Sequence, residues 1–167
     1  MKATRWMEIL SESRKTEHIK PVATNRKAYH DFFIDETYEA GLELTGTEVK
    51  SLRAGRANLK ESYAVIKGEE AFVVGLHISP YKQGGIFNAD PDRTRKLLLH
   101  RREIRSLIGK TREKGYTLVP TKLYFRGPRA KLEIGLARGK KLFDKRRALA
   151  EKEAQREVER GLKERQR

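Results

Sequence analysis

Cysteine is absent from all 167 residues, which removes disulfides and thiolate metal sites together. Long apolar runs are missing too. The N-terminal stretch Trp6, Met7, Ile9, Leu10 is broken by Glu8 and stops at Ser11-Glu12, short of the roughly 7–15 apolar residues of a secretory core region. Nothing approaches the ~18-residue run of a membrane-spanning helix. The expectation is a soluble, cytoplasmic chain with no membrane partner. Catalytic signatures are also lacking. The four histidines, His18, His30, His77 and His100, have no zinc-site spacing, and no Gly-x-Ser-x-Gly elbow occurs. The segment Gly135–Lys141 resembles a phosphate-binding loop only superficially: three residues separate its glycines instead of four, and Lys141 stands where a hydroxyl belongs. Asp90 and Asp92 flank Pro91 and read as a turn. No cofactor, metal or enzymatic activity is expected.

Acidic residues are scarce where basic ones gather. The chain carries 38 Lys and Arg against 23 Asp and Glu, a net charge of +15. Residues 1–92 are close to neutral, whereas 93–131 hold 13 basic side chains and only two acids, Glu103 and Glu113. The final 30 residues add 12 basic and six acidic. Such asymmetry marks a polyanion partner, because each phosphate neutralised releases counterions.

Apolar residues are distributed the other way. Leu, Ile, Val and Phe number 31 in residues 21–137 but only five from 138 onward. A core can be built from the first set and not from the second. The domain reading is therefore an N-terminal extension over 1–19, expected to be disordered, a body over 20–137, and a basic tail over 138–167. The tail's Ala, Glu, Lys and Arg favour helix, yet it has no face to bury. It is expected to be disordered when free and helical on its partner.

Within the body, short alternating runs recur between turn residues. Ala28–Ile34 reads as a strand, broken at Asp35-Glu36. Thr37–Leu44 reads as another, with Tyr38, Ala40, Leu42 and Leu44 on one face. Ser62–Lys67 and Ala71–Leu76 flank Gly68-Glu69-Glu70 as a hairpin. Tyr116–Phe125 and Lys131–Ala137 flank Arg126-Gly127-Pro128-Arg129 as a second, with a bulge or an edge expected at Pro120. Thr47–Gly55 reads as a short helix capped by Gly55. A longer helix is expected from Arg93 to Lys110, its core stripe being Leu97, His100, Ile104, Leu107 and Ile108. Leu98 falls outside that stripe, with Arg102 and Arg105 at i+4 and i+7 on the basic side. There it either covers a neighbouring segment or offers an apolar contact to an unstacked base. The fold class is mainly β with helices, and a small closed OB-like β-barrel is the leading architecture.

Several stretches in order carry a resemblance: Asn25-Arg26-Lys27-Ala28, His30-Asp31, Glu39-Ala40-Gly41, Gly46-Thr47-Glu48-Val49-Lys50-Ser51-Leu52-Arg53, Asn58-Leu59 and Ser62-Tyr63. His77-Ile78-Ser79-Pro80-Tyr81, Arg95-Lys96-Leu97-Leu98-Leu99-His100, Gly115-Tyr116-Thr117 and Gly139-Lys140-Lys141-Leu142-Phe143-Asp144-Lys145-Arg146 continue it. Over about residues 20–147 the chain resembles the SmpB family, the SsrA-binding proteins of bacterial trans-translation. It departs from the family at Phe143, where other members have Tyr or His, and at His100, where some have Asn.

The resemblance implies an adaptor. Proteins of this kind bind the tRNA-like end of transfer-messenger RNA (tmRNA, or SsrA RNA). With the elongation factor that carries its alanine-charged form, they bring it to ribosomes stalled on truncated messages. The tail enters the decoding site and the vacant mRNA channel against small-subunit rRNA. By position in the motifs, the tmRNA-facing residues are Asn25, Arg26, Lys27, His30, Glu39, Lys96, Leu98, His100 and Lys131, joined by Arg102 and Arg105. Lys140, Lys141, Asp144, Lys145 and Arg146 fall to the ribosome-facing tail, with Lys152, Arg156, Arg160, Lys163 and Arg165 as interchangeable phosphate contacts.

Some of these residues have ordinary alternatives. Glu39 can accept from base amino groups, hold an arginine in place, or simply pair with a lysine. Asn25 can close a turn, and Asp144 can cap the tail helix. The competing classes are another RNA-binding module, such as a ribosomal protein or RNA chaperone, and a nucleic-acid enzyme.

Overall fold

A computed structural model describes residues 18–113 and 115–165. The expectations for residues 1–17 lie outside the described residues. β1 (Ile19–Thr24) is followed by α1 (Arg26–Asp31), β2 (Phe32–Leu42), α2 (Gly46–Arg53), β3 (Ala57–Asn58), β4 (Tyr63–Lys67), β5 (Glu70–Val74) and β6 (His77–Ile78). A 3₁₀ turn at Gly85–Phe87 precedes β7 (Arg95–Leu98), α3 (Arg101–Thr111), β8 (Tyr116–Arg126), β9 (Arg129–Gly139) and α4 (Leu142–Arg165). Among the described residues the architecture is mainly β with four α-helices, three in the body and one in the tail.

All pairings in the main sheet are antiparallel. They follow the order β1-β8-β4-β5-β7-β2-β9, and β9 pairs again with β8, so the hydrogen bonding runs round a ring with β1 outside it. Two links in the ring are short: Ala64 opposite Leu118 between β4 and β8, and Gly41 and Leu42 opposite Leu98 and Leu97 between β2 and β7. The inward side chains form one core that includes Ala40, Leu42, Val73, Leu97, Leu123 and Leu132, closed by Leu52 from α2 and Leu107 from α3.

Both hairpins form where the turn chemistry places them, with Gly68 and Gly127 at φ 63° and 58°. The register of β8 against β9 slips between Pro120 and Lys122, the expected bulge. Gly135 faces that bulge because nothing larger fits. A Cβ there would stand 2.9 Å from Ile34 Cγ2 and 3.3 Å from Thr121 Cγ2. Gly135→Ala is therefore expected to destabilise the fold by about 1–3 kcal/mol through overpacking, read as a fall in thermal midpoint.

Two elements differ from the sequence reading. Arg26–Asp31 is helical instead of the start of a strand, since Asn25 Oδ1 accepts the Ala28 N–H at 3.2 Å and opens a helical turn. Phe32–Leu42 is then one strand, with a register shift at Asp35 in place of a break. The expected Arg93–Lys110 helix is a strand followed by a shorter helix. Arg95 and Leu97 point inward while Leu98 is 54% exposed, the alternation of a strand. The helix begins at Arg101, after His100, whose backbone N–H donates to Glu103 Oε2 at 2.9 Å. Leu98, Arg102 and Arg105 therefore do not form an i, i+4, i+7 face.

One buried charge network sets the position of β7. Glu48 on α2 accepts from Arg93 Nε at 2.9 Å and Nη2 at 2.7 Å, from Arg95 Nε at 2.8 Å, and from the Thr45 N–H at 2.9 Å. Arg95 is fully buried and also donates to the carbonyls of Leu76, Pro91 and Arg93. A guanidinium can be buried there because its donors meet acceptors.

Candidate nucleic-acid interface

Strand register brings Leu98, Gly41, Lys131 and Tyr124 into one row across β7, β2, β9 and β8. Gly41 is the gap in that row. A Cβ at Gly41 would lie 3.2 Å from Leu98 Cβ, so Leu98 rests over bare backbone. The result is an open groove of about 440 Å³, lined by Gly41, Leu98, Phe125, Pro128, Arg129 and Lys131 among others. Its chemistry is an apolar floor edged by cations.

Two residues along β2, Glu39 resolves its own oddity. The Tyr124 hydroxyl donates to Glu39 Oε2, and Arg126 Nη2 approaches the same oxygen at 2.7 Å. Burial, then the neighbouring carboxylate, pushes the Tyr124 hydroxyl up to about 12, so it stays a donor. Arg126 Nε is buried without a partner. Of the roles open to Glu39, the structure shows it holding an arginine, beside a tyrosine. Arg126, Tyr124, Gly41 and Arg129 were not singled out from sequence. A glycine inside an alternating strand was the available signal for Gly41, and Arg126 and Arg129 read only as turn residues.

The other sequence-selected residues are spread over separate elements. Lys96, on β7, is paired with Glu70. His100 precedes α3, and Arg102 and Arg105 are exposed on that helix. Arg26, Lys27 and His30 are exposed on α1, where Lys27 pairs with Glu61 and His30 Nδ1 lies 2.9 Å from Asp31. Asn25 is not on the surface at all. It is 6% exposed, and its Nδ2 donates to the carbonyls of Pro120 and Leu59 at 3.0 and 3.4 Å. Its Oδ1 also accepts the Ala28 N–H and so closes the turn into α1, which is the turn-closing alternative.

The root of the tail is tied to α1 and β2. Arg138 makes a two-pronged ion pair with Asp35 at 2.9 and 3.1 Å, and Tyr116 donates to the same carboxylate. These donors, Arg138 first, hold the Asp35 carboxyl below its ordinary range. Lys140 donates through its backbone to the Asp31 carbonyl and through Nζ to the Tyr29 carbonyl, and its ammonium lies 5.0 Å from the Phe33 ring centre. Beyond this anchor Lys141, Arg146, Lys152, Arg156, Arg160 and Lys163 are exposed. The backbone of Asp144, Lys145 and Arg165 lies in α4, and their side chains lie outside the described residues.

No cluster of three or more His, Asp or Glu suited to a metal occurs among the described residues, and none of their helices is long and apolar enough to cross a membrane. A family model, "SmpB protein", matches residues 22–164. An SsrA-binding protein of Geobacillus thermodenitrificans is 61% identical over 147 residues, covering 88% of this chain and 95% of its own. One from Halothermothrix orenii is 57% identical, covering 90% and 97%. A solved chain described by "tmRNA-SmpB: a journey to the center of the bacterial ribosome" superposes with TM-score 0.63 at 54% identity, covering 73% of this chain and 86% of that one. With the family model spanning most of its length, this chain belongs to the SmpB family.

Proposed function

We propose that the protein is an RNA-binding adaptor of trans-translation and not an enzyme, taking the tRNA-like end of tmRNA to stalled ribosomes. The observation that carries this is the Leu98–Gly41–Lys131 groove: a leucine held in water over bare backbone, beside lysine and arginine. Apolar surface of that kind suits an unstacked base or ribose, while the cations suit the adjoining phosphates. The Glu39–Tyr124–Arg126 cluster presents a guanidinium at its side. Family membership supports the substrate, since the relatives carry the name SsrA-binding protein.

In this reading the ring of strand pairings is an OB-like barrel spanning 20–137. Leu98, Lys131 and the Glu39-held Arg126 meet the RNA in the groove, with Arg26, Lys27, His30, Lys96, His100, Arg102 and Arg105 as flanking contacts and Asn25 as the residue that places α1. The tail, 138–167, reads the empty decoding site and mRNA channel. Lys140 and Lys141 lie at its root, and Asp144, Lys145, Arg146, Lys152 and Arg156 lie along it. The elongation factor that carries alanyl-tmRNA joins the complex in the cytoplasm.

The direct test is to recover the protein from cells and sequence the RNA bound to it. tmRNA should dominate; a broad mixture of RNAs would favour a general chaperone. Leu98→Ala should weaken binding of the tRNA-like domain about tenfold with the thermal midpoint almost unchanged, because the side chain is mostly in solvent. Unchanged affinity, or a fall of several degrees, would remove Leu98 from the interface.

A further inference from the structure

Between β6 and β7 the chain displays Ile86 and Phe87, 93% and 78% exposed. In a slack loop this would call for little explanation, but the loop is built. Asn88 closes it with two bonds to Tyr81, Oδ1 accepting the N–H at 3.0 Å and Nδ2 donating to the carbonyl at 2.9 Å. Inside that clamp the Gly84 N–H donates to the Tyr81 carbonyl at 2.9 Å and the Phe87 N–H to the Gly84 carbonyl at 3.0 Å. Gly84 has no room for a side chain, since a Cβ would stand 2.5 Å from Asn88 Oδ1. Thr47 Oγ1 fastens the turn to α2 by donating to the Phe87 carbonyl at 3.3 Å. Backbone and side-chain bonds thus hold two large apolar groups in water, the reverse of what folding alone favours.

The surroundings select the occupant. Phe87 borders an open groove of about 430 Å³ lined also by Thr45, Thr47, Lys50, Tyr81 and Gln83. The Lys50 ammonium lies 5.4 Å from the Tyr81 ring centre. No ion pair among the described residues uses Lys50 or Lys82. The acid of α2, Glu48, is turned inward onto Arg93 and Arg95, and Asp92 is held on His77. Aromatic rings, hydroxyls and unpaired ammonium groups together match an unpaired nucleotide, whose base stacks and whose phosphate attracts cations.

We propose that the Tyr81–Asn88 loop and the adjoining side of α2 form a second RNA-binding surface, which seats an unpaired base on Phe87 and its phosphate near Lys50. Val49, on the same helix, lines the Leu98 groove, so α2 separates the two surfaces. The proposal does not depend on which RNA the Leu98 groove takes.

The test uses the full chain and a fluorescein-labelled single-stranded RNA of ten adenosines, followed by anisotropy. Phe87→Ala is expected to weaken binding about tenfold and Phe87→Tyr to retain it, as stacking requires. Phe87→Trp in a Trp6→Phe background supplies a single fluorophore that the RNA should quench. Because the Phe87 side chain is in solvent, Phe87→Ala and Phe87→Tyr should melt with the parent, and Phe87→Trp with its Trp6→Phe background. Equal affinities for Phe87→Ala and the parent, with no quenching, would overturn the proposal and assign the patch to a protein partner.

Discussion

Ending the chain after Lys141 is expected to abolish peptide tagging on stalled ribosomes while leaving affinity for the tRNA-like RNA within about threefold, the loss expected when only diffuse phosphate contacts are removed. The cut is chosen from the structure. Arg138 and Lys140 are engaged by Asp35, Tyr29 and Asp31, so removing them would disturb the body as well as the tail. Past Lys141 the described cations of α4 face solvent, and none of the helix's described side chains belongs to the buried core. Two assays separate the functions: anisotropy with labelled tRNA-like RNA, and tagging of a reporter made from a message without a stop codon. Parallel loss in both would mean that body and tail form one RNA surface, against the adaptor proposed here.

Glu48→Gln should cost about 3–5 kcal/mol of stability, since it leaves the Arg95 guanidinium buried without its counter-charge. That corresponds to a fall in thermal midpoint of roughly 10–15 °C for a chain of this size. Burial alone would push the Glu48 carboxyl up. The bonds from Arg93, the Thr45 N–H and Arg95 outweigh burial and hold it at about 2 against an ordinary 4.5. The folded value is the depressed one. The network's contribution is therefore complete above pH 4.5 and is lost as pH falls from there toward 2. Thermal midpoints recorded from pH 7 to pH 2.5 should sag at the acid end for the parent and sag less for Glu48→Gln. Parallel curves would show that another carboxylate governs acid sensitivity.

Much of the body could be read from periodicity. The two hairpins, the Pro120 bulge and the Tyr38–Ala40–Leu42 face follow from local rules that tertiary contacts do not override. The Arg93–Lys110 segment is ambiguous in sequence, because Leu97, Ile104 and Leu107 suit a helical stripe as well as a strand leading into a helix. What decided it was Arg95, whose burial depends on Glu48, 47 residues away in sequence. No window along the chain contains that pair. The same reasoning covers α1, where one side-chain bond from Asn25 turns β-prone residues into helix.

The candidate site was legible in part for a related reason. Leu98, Glu39 and Lys131 were marked by motif, but the roles of Gly41 and Arg126 come from strand register, which only pairing reveals. The exposed Ile86 and Phe87 carried no signal in composition. Two apolar residues in a glycine-rich segment are as compatible with burial as with display, and the Asn88 clamp decides between them.

The fastening of the tail's first residues has a geometric consequence. With Arg138 and Lys140 pinned, the 24 residues of α4 start from a set origin and extend about 36 Å at 1.5 Å per residue. In the adaptor role proposed here, a helix of that length on such a pivot would serve as a dipstick: a duct must be unobstructed to that depth before the far end can settle, so a few ångströms of blockage would register at the hub.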